Sequence, residues 1–379
     1  MTQRVLIAGA GLLGLGVARQ LAASGCHVSL FDPRAPGVET SLVSAGMLAP
    51  HAELRHDEED LLALGRASQA LWPRWVEALV SESGVAIDVR MPGTLVVAYD
   101  GDEYAAARHH LDTLERQGLQ VDHLDASDLR DLEPDLSPHL VGGGLIHGDG
   151  QVDNRALLDA LRLRAEALGV TILSGIGLQS VEAVQGRVAG ATDTAGDTHP
   201  CDAVVIAAGS WSRSIRLPDL PPLPVRPVRG QLLAFASVDR LGRRLRLERA
   251  VHAPSVYMAL KADGTLLAGA TMEERGHERE VNTGALFEHL REARRLLPQL
   301  DELPLRDIRI GFRPTSRDNR PLLGETEIAG LFCLTGHARN GVQQAPASIE
   351  IVAAAVLGQS LPAYAEPFSP KRFTTRAAR

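Results

Sequence analysis

The sequence predicts an α/β protein in which a doubly wound nucleotide-binding domain is interleaved with a sheet-rich one, and three observations carry this. Residues 4–32 read as strand, glycine turn, helix and strand, one βαβ unit of about thirty residues. Strand-and-turn pieces of the same character return in the middle and near the end of the chain. Between them lie stretches richer in strand signals and hairpin turns.

Each element follows in order. RVLIAG (4–9) is an apolar run suited to a buried strand, Leu12 to Ala23 has helical periodicity, and HVSLFD (27–32) is a second strand. SQALWPRWVEALV (68–80) reads as two Trp-bearing amphipathic turns. GTLVVAYD (93–100) is strand-like, and a helix follows around 102–118. Residues 144–173 give a turn, a long helix and a strand. Residues 179–193 form a hairpin turning at Gln185-Gly186, and DAVVIAAGS (202–210) is another buried strand. The proline-rich PDLPPLPVRPVRGQ (218–231) reads as a linker that breaks helix and strand alike. Residues 231–310 alternate strands with one helix (283–298), and the last seventy end in a strand, a glycine turn and a helix over 344–358.

Composition narrows the function. At 379 residues and 45% hydrophobic, the chain has ample material for about two domains. A net charge of −8 argues against nucleic acid or an anionic membrane surface as partner, and no apolar run is long enough for a membrane span. Cys26, Cys201 and Cys333 have neither disulfide-framework nor zinc spacing, so a reduced, cytoplasmic protein is expected. The apolar opening runs on into a glycine turn and helix, and reads as folded protein rather than a secretion signal. His51, His56, His109 and His110 show no ligand arrangement, and no metal is expected. Asp57-Glu58-Glu59-Asp60 reads as a solvated helix start.

GAGLLG places Gly9, Gly11 and Gly14 in G-x-G-x-x-G spacing. The first permits a tight turn, the second lets backbone approach a pyrophosphate, and the third lets helix and strand pack closely. Asp32 ends the next strand, where a carboxylate can take a ribose hydroxyl pair. This motif alone does not separate NAD from FAD. VVIAAGSWS (204–212), the apolar loop SLVSAGMLAPH (41–51) and GFRPTSRDNRPLLGE (311–325) favour FAD. In LTGHARNGVQQAP (334–346) a second glycine turn opens a helix, a place where free backbone N–H groups attract negative charge.

Taken in order, GAGLLG, SAGMLAPHAE, DGQVDNRALLDAL, VVIAAGSWS, PVRPVRGQ, VYMALKADGTLLAGATME, GFRPTSRDNRPLLGE and GHARNGVQQAP resemble the D-amino-acid oxidase superfamily of flavoproteins over nearly the whole chain. The resemblance is strongest to its glycine oxidases of the thiamine pathway. It implies a Rossmann-like FAD-binding domain formed by residues 1–85, 143–220 and 306–379, and a sheet-rich (α+β) substrate-binding domain formed by 86–142 and 221–305. It implies non-covalent FAD, because Thr315 and Ser316 stand where the sarcosine oxidases carry a flavin-linked cysteine. The cofactor would be held by Gly9, Gly11, Leu12, Leu13 and Gly14 of the first turn and by Asp32 and Pro33. Thr40, Ser41, Ala45, Gly46 and Met47 would join from the following loop, with Leu178, Ala208 and Gly209 from the middle of the chain. His337, Arg339, Asn340, Gly341 and Val342 would face the flavin ring.

On the substrate side, the resemblance gives Arg313 and Arg339 to the carboxylate, Tyr257 to the same group, and Met272 and Met47 to an apolar wall that limits size. A guanidinium fork suits a carboxylate because it holds both oxygens in one plane. The expected activity is oxidation of a small amino acid, glycine foremost, by hydride transfer to FAD with O₂ as acceptor. The alternatives are a sarcosine or D-amino-acid oxidase, a dehydrogenase using another acceptor, a silent flavin-binding subunit, or an NAD-binding module. The resemblance also implies a homo-oligomer. The chain departs from the glycine oxidases at Ser255, where they have histidine, at Leu260-Lys261 and at Gln343-Gln344.

Overall fold

The computed structural model describes residues 2–54 and 58–374. Two large sheets organise the chain. The first has six strands in the order Leu322–Glu325, Leu331–Thr335, Ala203–Ile206, Arg4–Ala8, His27–Asp32 and Thr171–Ser174. Its neighbours are parallel except for the hairpin of Leu322–Glu325 with Leu331–Thr335. Alternation along the central strand decides what covers each face. Val5 and Ile7 join a core with the helices Leu12–Ala23, Glu59–Ser83, Asn154–Ala167 and Ala345–Val356. Leu6 and Ala8 point the other way, to a core shared with Val181, Val188 and Ala191 of the hairpin over 178–193. That hairpin turns where expected, with Gln185 and Gly186 both at positive φ (52° and 73°).

The second sheet has eight strands, in the order Leu305–Ser316, Val225–Ala236, Thr265–Gly269, Tyr257–Leu260, Ala250–His252, Thr94–Ala98, Gly142–Ile146 and Val121–Asp125. Its spine is the pairing of the two twelve-residue strands, Val225–Ala236 and Leu305–Ser316.

This spine corrects the reading of 218–231 as a linker, because strand begins at Val225 despite Pro227. The main-chain N–H of Arg229 points to Glu273, away from Leu305–Ser316. N–H groups two residues apart in a strand point the same way, so the missing donor of Pro227 also faces outward, and no ladder bond to Pro314 opposite is lost. A second correction concerns 68–80. The two turns are part of one helix, Glu59–Ser83, which runs through Pro73. Burial of Trp72, whose indole N–H donates to Gln343 O at 3.0 Å, outweighs the local cost of the proline. Of the expected acidic helix start, Asp57 lies outside the described residues, as does His56.

Gly16 brings two helices together. A Cβ there would stand 2.3 Å from Ile349 Cδ1, so Leu12–Ala23 and Ala345–Val356 cross in close contact. Both helices begin at the same end of the six-stranded sheet, beside the cavity described next.

Candidate active site

One long cavity of about 690 Å³ runs along the carboxyl ends of the parallel strands and under the eight-stranded sheet. Ligands of open α/β sheets bind at this end, because helix N-termini and strand-end loops converge there. Ala8, Asp32, Ala207 and Thr335, each at or just beyond the end of a parallel strand, lie on its wall.

Its first end is built by the glycine turn. Gly9 has φ +103°, and a Cβ there would lie 2.5 Å from Ala207 O. Gly11 leaves the wall open, and Leu12 N donates to Ser41 Oγ at 3.1 Å. Asp32 accepts from Ala10 N at 2.8 Å and Arg34 N at 3.0 Å, which fixes its carboxylate at the cavity edge. Pro33, Thr40, Ser41, Ala45, Gly46, Met47, Leu178, Ala208 and Gly209 also lie on the wall. Gly14 does not; a Cβ there would be 1.8 Å from Gly9 O, so its work is packing.

The far end is built by the two long strands and the turn over 336–342. Ala338 N donates to Pro314 O at 2.8 Å and His337 bridges to Thr315, so the turn is stitched to the strand that carries Arg313. His337, Arg339, Gly341 and Val342 line the cavity. The helix starts at Ala345, within one residue of the expected 344, after a single turn in which Gln344 N donates to Asn340 O. His337 is 1% exposed and shares a 3.0 Å hydrogen bond with Ser348 through Nε2, while Nδ1 has no partner; burial pushes its ionisation down to about 3, so the ring is neutral. Asn340 is a correction. It is buried, but it faces a small pocket with Glu58 and Arg339, off the main cavity wall.

Arg313 and Tyr257 meet here. Both line the cavity, and each lies against a glycine of a neighbouring strand: a Cβ at Gly230 would be 2.5 Å from Arg313 Nη1, and one at Gly269 would be 2.2 Å from the Tyr257 hydroxyl. Arg313 Nη1 donates to Thr271 O at 2.9 Å. Burial pulls the guanidinium below its usual value, with Tyr257 and Glu53 acting the other way and Arg339 adding to the fall. Burial also pushes the Tyr257 phenol up to about 12. Arg339 is engaged elsewhere, since Nη2 lies 2.5 Å from Glu58 Oε2 and donates to Glu53 O at 2.8 Å. Glu58 is therefore tied to the cavity side instead of being a solvated residue of the helix start. Met47 is buried in the wall, but Met272 is 59% exposed at the rim and does not close the pocket.

Sequence reasoning passed over several wall residues. Arg34, Glu39, Trp211 and His252 all line the cavity. Arg34 follows Asp32-Pro33 and Trp211 lies in VVIAAGSWS, so only nearness to a motif pointed to them. Arg229 is 1% exposed and lies off the cavity wall.

A tight glycine turn, a carboxylate fixed at the second strand's end and a cavity of about 690 Å³ between them and the second sheet fit a dinucleotide-binding oxidoreductase. The family model described as FAD dependent oxidoreductase (DAO) matches residues 4–355, and the chain belongs to this family. Its residues fit FAD: the cradle at Gly9 and Gly11 has no space for a Cβ at the first glycine, and Arg34 Nε, buried 4.0 Å from Asp32 Oδ1, makes no hydrogen bond. The chain is 32% identical to the bifunctional protein ThiO/ThiG of Synechocystis over 99% of its own length and 54% of that protein, so it spans about half the length of the curated relatives of that kind. It is 30% identical to the glycine oxidase of Geobacillus kaustophilus over 98% of both chains. The crystal structure of glycine oxidase from Geobacillus kaustophilus superimposes with a TM-score of 0.89 at 28% identity, covering 98% of this chain and 99% of that one. That of iminodiacetate oxidase from Chelativorans gives 0.82 at 27%, covering 97% and 99%.

Proposed function

We propose that the chain oxidises a small amino acid, glycine foremost, to its imine, which water converts to glyoxylate and ammonia, with O₂ reduced to H₂O₂. The observation that carries this reading is the half-buried pair Arg313 and Tyr257 on one wall of the cavity. A guanidinium in that position, held on one side by Thr271 O, has donors left for a carboxylate, and the protonated phenol supplies a further one. Together they fix the substrate at its carboxylate and so orient its α-carbon. FAD, when bound, supplies the two-electron acceptor for the α-hydrogen as hydride and the route of those electrons to O₂.

The chain's remaining contributions are positional. The turn at Gly341 and Val342 brings backbone to the ring end of the cavity, where developing negative charge is stabilised by N–H groups. Neutral His337 adds no further cation to Arg313 and Arg339 at that end. Arg339 ties Glu58 and the main chain of Glu53 and so shapes the mouth. Non-covalent FAD is supported by the cysteines: none lines the cavity, and Cys333 is buried in a strand with its thiol pushed up to about 12. We assign the six-stranded sheet to the cofactor half and the eight-stranded sheet to the substrate half. Supply of the imine to thiamine thiazole assembly belongs to the same reading, with which the similarity to ThiO/ThiG agrees. So do a homo-oligomer and a cytoplasmic location; among the described residues no helix is long and apolar enough to cross a membrane.

A second reading rests on Met272. Its exposure leaves the rim open, which favours a secondary amine such as sarcosine over a strictly glycine-sized substrate. Anaerobic addition of glycine, sarcosine or D-alanine to the yellow protein separates these. Glycine should bleach the flavin fastest, with colour and peroxide returning on admission of air. Faster bleaching by sarcosine would move the assignment to the secondary amine, and bleaching that air does not reverse would remove O₂ as acceptor.

A further inference from the structure

Residues 273–280 form a strap between the Thr265–Gly269 strand and the Thr283–Leu296 helix. Arg229 holds its base. The Arg229 Nη2 atom lies 2.7 Å from Glu273 Oε2, and Nη1 donates to Glu280 O at 2.8 Å. Arg229 and Glu273 also exchange both main-chain hydrogen bonds, at 2.9 and 3.0 Å. The tip of the strap crosses to the other half of the molecule. His277 stacks on Trp211 with ring centres 4.6 Å apart and planes 13° from parallel, and its Nε2 shares a 3.0 Å hydrogen bond with Ser210 Oγ. Arg279 Nη2 lies 2.6 Å from Glu39 Oε1, and its guanidinium is 5.1 Å from the Phe312 ring.

On the cavity side the same residues receive Arg34. Its guanidinium carbon is 3.9 Å from the Trp211 ring centre, and Nη1 is 3.0 Å from Glu39 Oε1. One carboxylate oxygen thus takes two arginines, Arg34 from the wall and Arg279 from the strap. Arg34, Glu39 and Trp211 all line the cavity next to Asp32, and Arg34 Nε, 4.0 Å from Asp32 Oδ1, is buried without a hydrogen bond.

We propose that this assembly is a cofactor clasp: the strap locks Arg34 and Trp211 into the wall that meets the nucleotide half of FAD, and so sets how slowly FAD leaves. A guanidinium laid on an indole and tied to a carboxylate has already lost the freedom that binding would otherwise cost it. Its Nε, which makes no hydrogen bond, stands 4.0 Å from the strand-end carboxylate of Asp32, where a diphosphate and ribose are expected. Four elements face His277: the segment after the second strand with Arg34 and Glu39, the strap with Arg279, the turn with uncharged Ser210, and the Leu305–Ser316 strand with Phe312. Burial, then Arg34 and Arg279, hold the imidazole below its usual ionisation, so the stack adds no third cation to the two arginines.

The test is the rate of FAD release from the holoenzyme, followed by recovery of free-flavin fluorescence after dilution, in His277→Ala, Arg279→Ser and Arg279→Lys. Neither His277 nor Arg279 lies on the cavity wall. Release should accelerate about tenfold or more in His277→Ala and Arg279→Ser, with partial restoration in Arg279→Lys, while melting of the apoproteins stays at the wild-type temperature. Wild-type release rates would overturn the proposal. So would apoprotein melting that falls in step with faster release, since the contact would then be structural alone. The readout is cofactor loss, independent of which amine the enzyme oxidises.

Discussion

Gly269 makes room for Tyr257: a Cβ on the glycine would stand 2.1 Å from the ring carbon that bears the hydroxyl and 2.2 Å from the hydroxyl oxygen. The two residues are directly opposite on neighbouring strands, so the fit is set by register. Gly269→Ala should swing the phenol out of place and raise the KM for glycine about tenfold, with the flavin spectrum retained. Steady-state kinetics with the visible spectrum as control check this, and an unchanged KM would detach Tyr257 from substrate binding.

Arg313 carries more. Arg313→Ala removes the fork and should raise KM by about two orders of magnitude or more, whereas Arg313→Lys keeps a charge but not the planar geometry and should recover only part. Gly230→Ala, which crowds the same guanidinium at 2.5 Å, should fall between them. Equal KM values for the alanine variant and wild type would end the carboxylate assignment.

Gly9→Ala tests the other end of the cavity. The residue combines φ +103° with a Cβ position 2.5 Å from Ala207 O, so the backbone itself must move. A cost of about 2 kcal/mol or more is expected, together with loss of bound FAD. Thermal unfolding and the ratio of flavin to protein absorbance report the two effects, and full FAD content would refute the cradle.

The pH dependence of turnover should follow the substrate. The phenol of Tyr257 is pushed up to about 12, while His252 and His337 are pushed down by burial to about 4 and 3, so all three keep one protonation state from pH 5 to 10. The unprotonated amine is the reactive form, so kcat/KM should rise with pH along a single ionisation. A falling limb below pH 10 would implicate a protein group in proton transfer.

Stability has a pH signature of its own. Lys261 donates to Val152 O at 3.1 Å behind Gly46, and burial pulls its ammonium down to about 8. An unfolded lysine titrates near ~10.4, so between these values the unfolded chain binds more protons and the folded state gains as pH rises. Lys261→Met should flatten the dependence of Tm on pH between about 8 and 10.4. A slope equal to that of wild type would contradict the burial assigned to this ammonium.

Local rules made part of this legible. The helix Leu12–Ala23, the strand His27–Asp32 and the turn at Gln185-Gly186 each depend on residues within a few positions of one another, and all stand where the sequence places them. The strand at Val225 was hidden because two prolines cost nothing once their missing donors face away from the ladder, which only the partner strand reveals. Helix through Pro73 was hidden for a like reason, since Trp72 is held by Gln343, 271 positions away. Within the site, motif-borne residues such as Arg313 were visible. His277 carried no local signal at all, because its meaning comes from Trp211 and Glu39 on the opposite half of the molecule.

The spine formed by Val225–Ala236 and Leu305–Ser316 has a consequence for how such an enzyme can be re-engineered. Val228 faces Arg313 and Arg229 faces Phe312 across adjacent rungs of one ladder, so the carboxylate anchor and the base of the cofactor strap share a single beam. A substitution made there to admit a new substrate will disturb flavin retention as well. The exposed rim residues Pro254 and Ser255 lie outside this ladder, and that is where libraries for altered substrate preference should be concentrated.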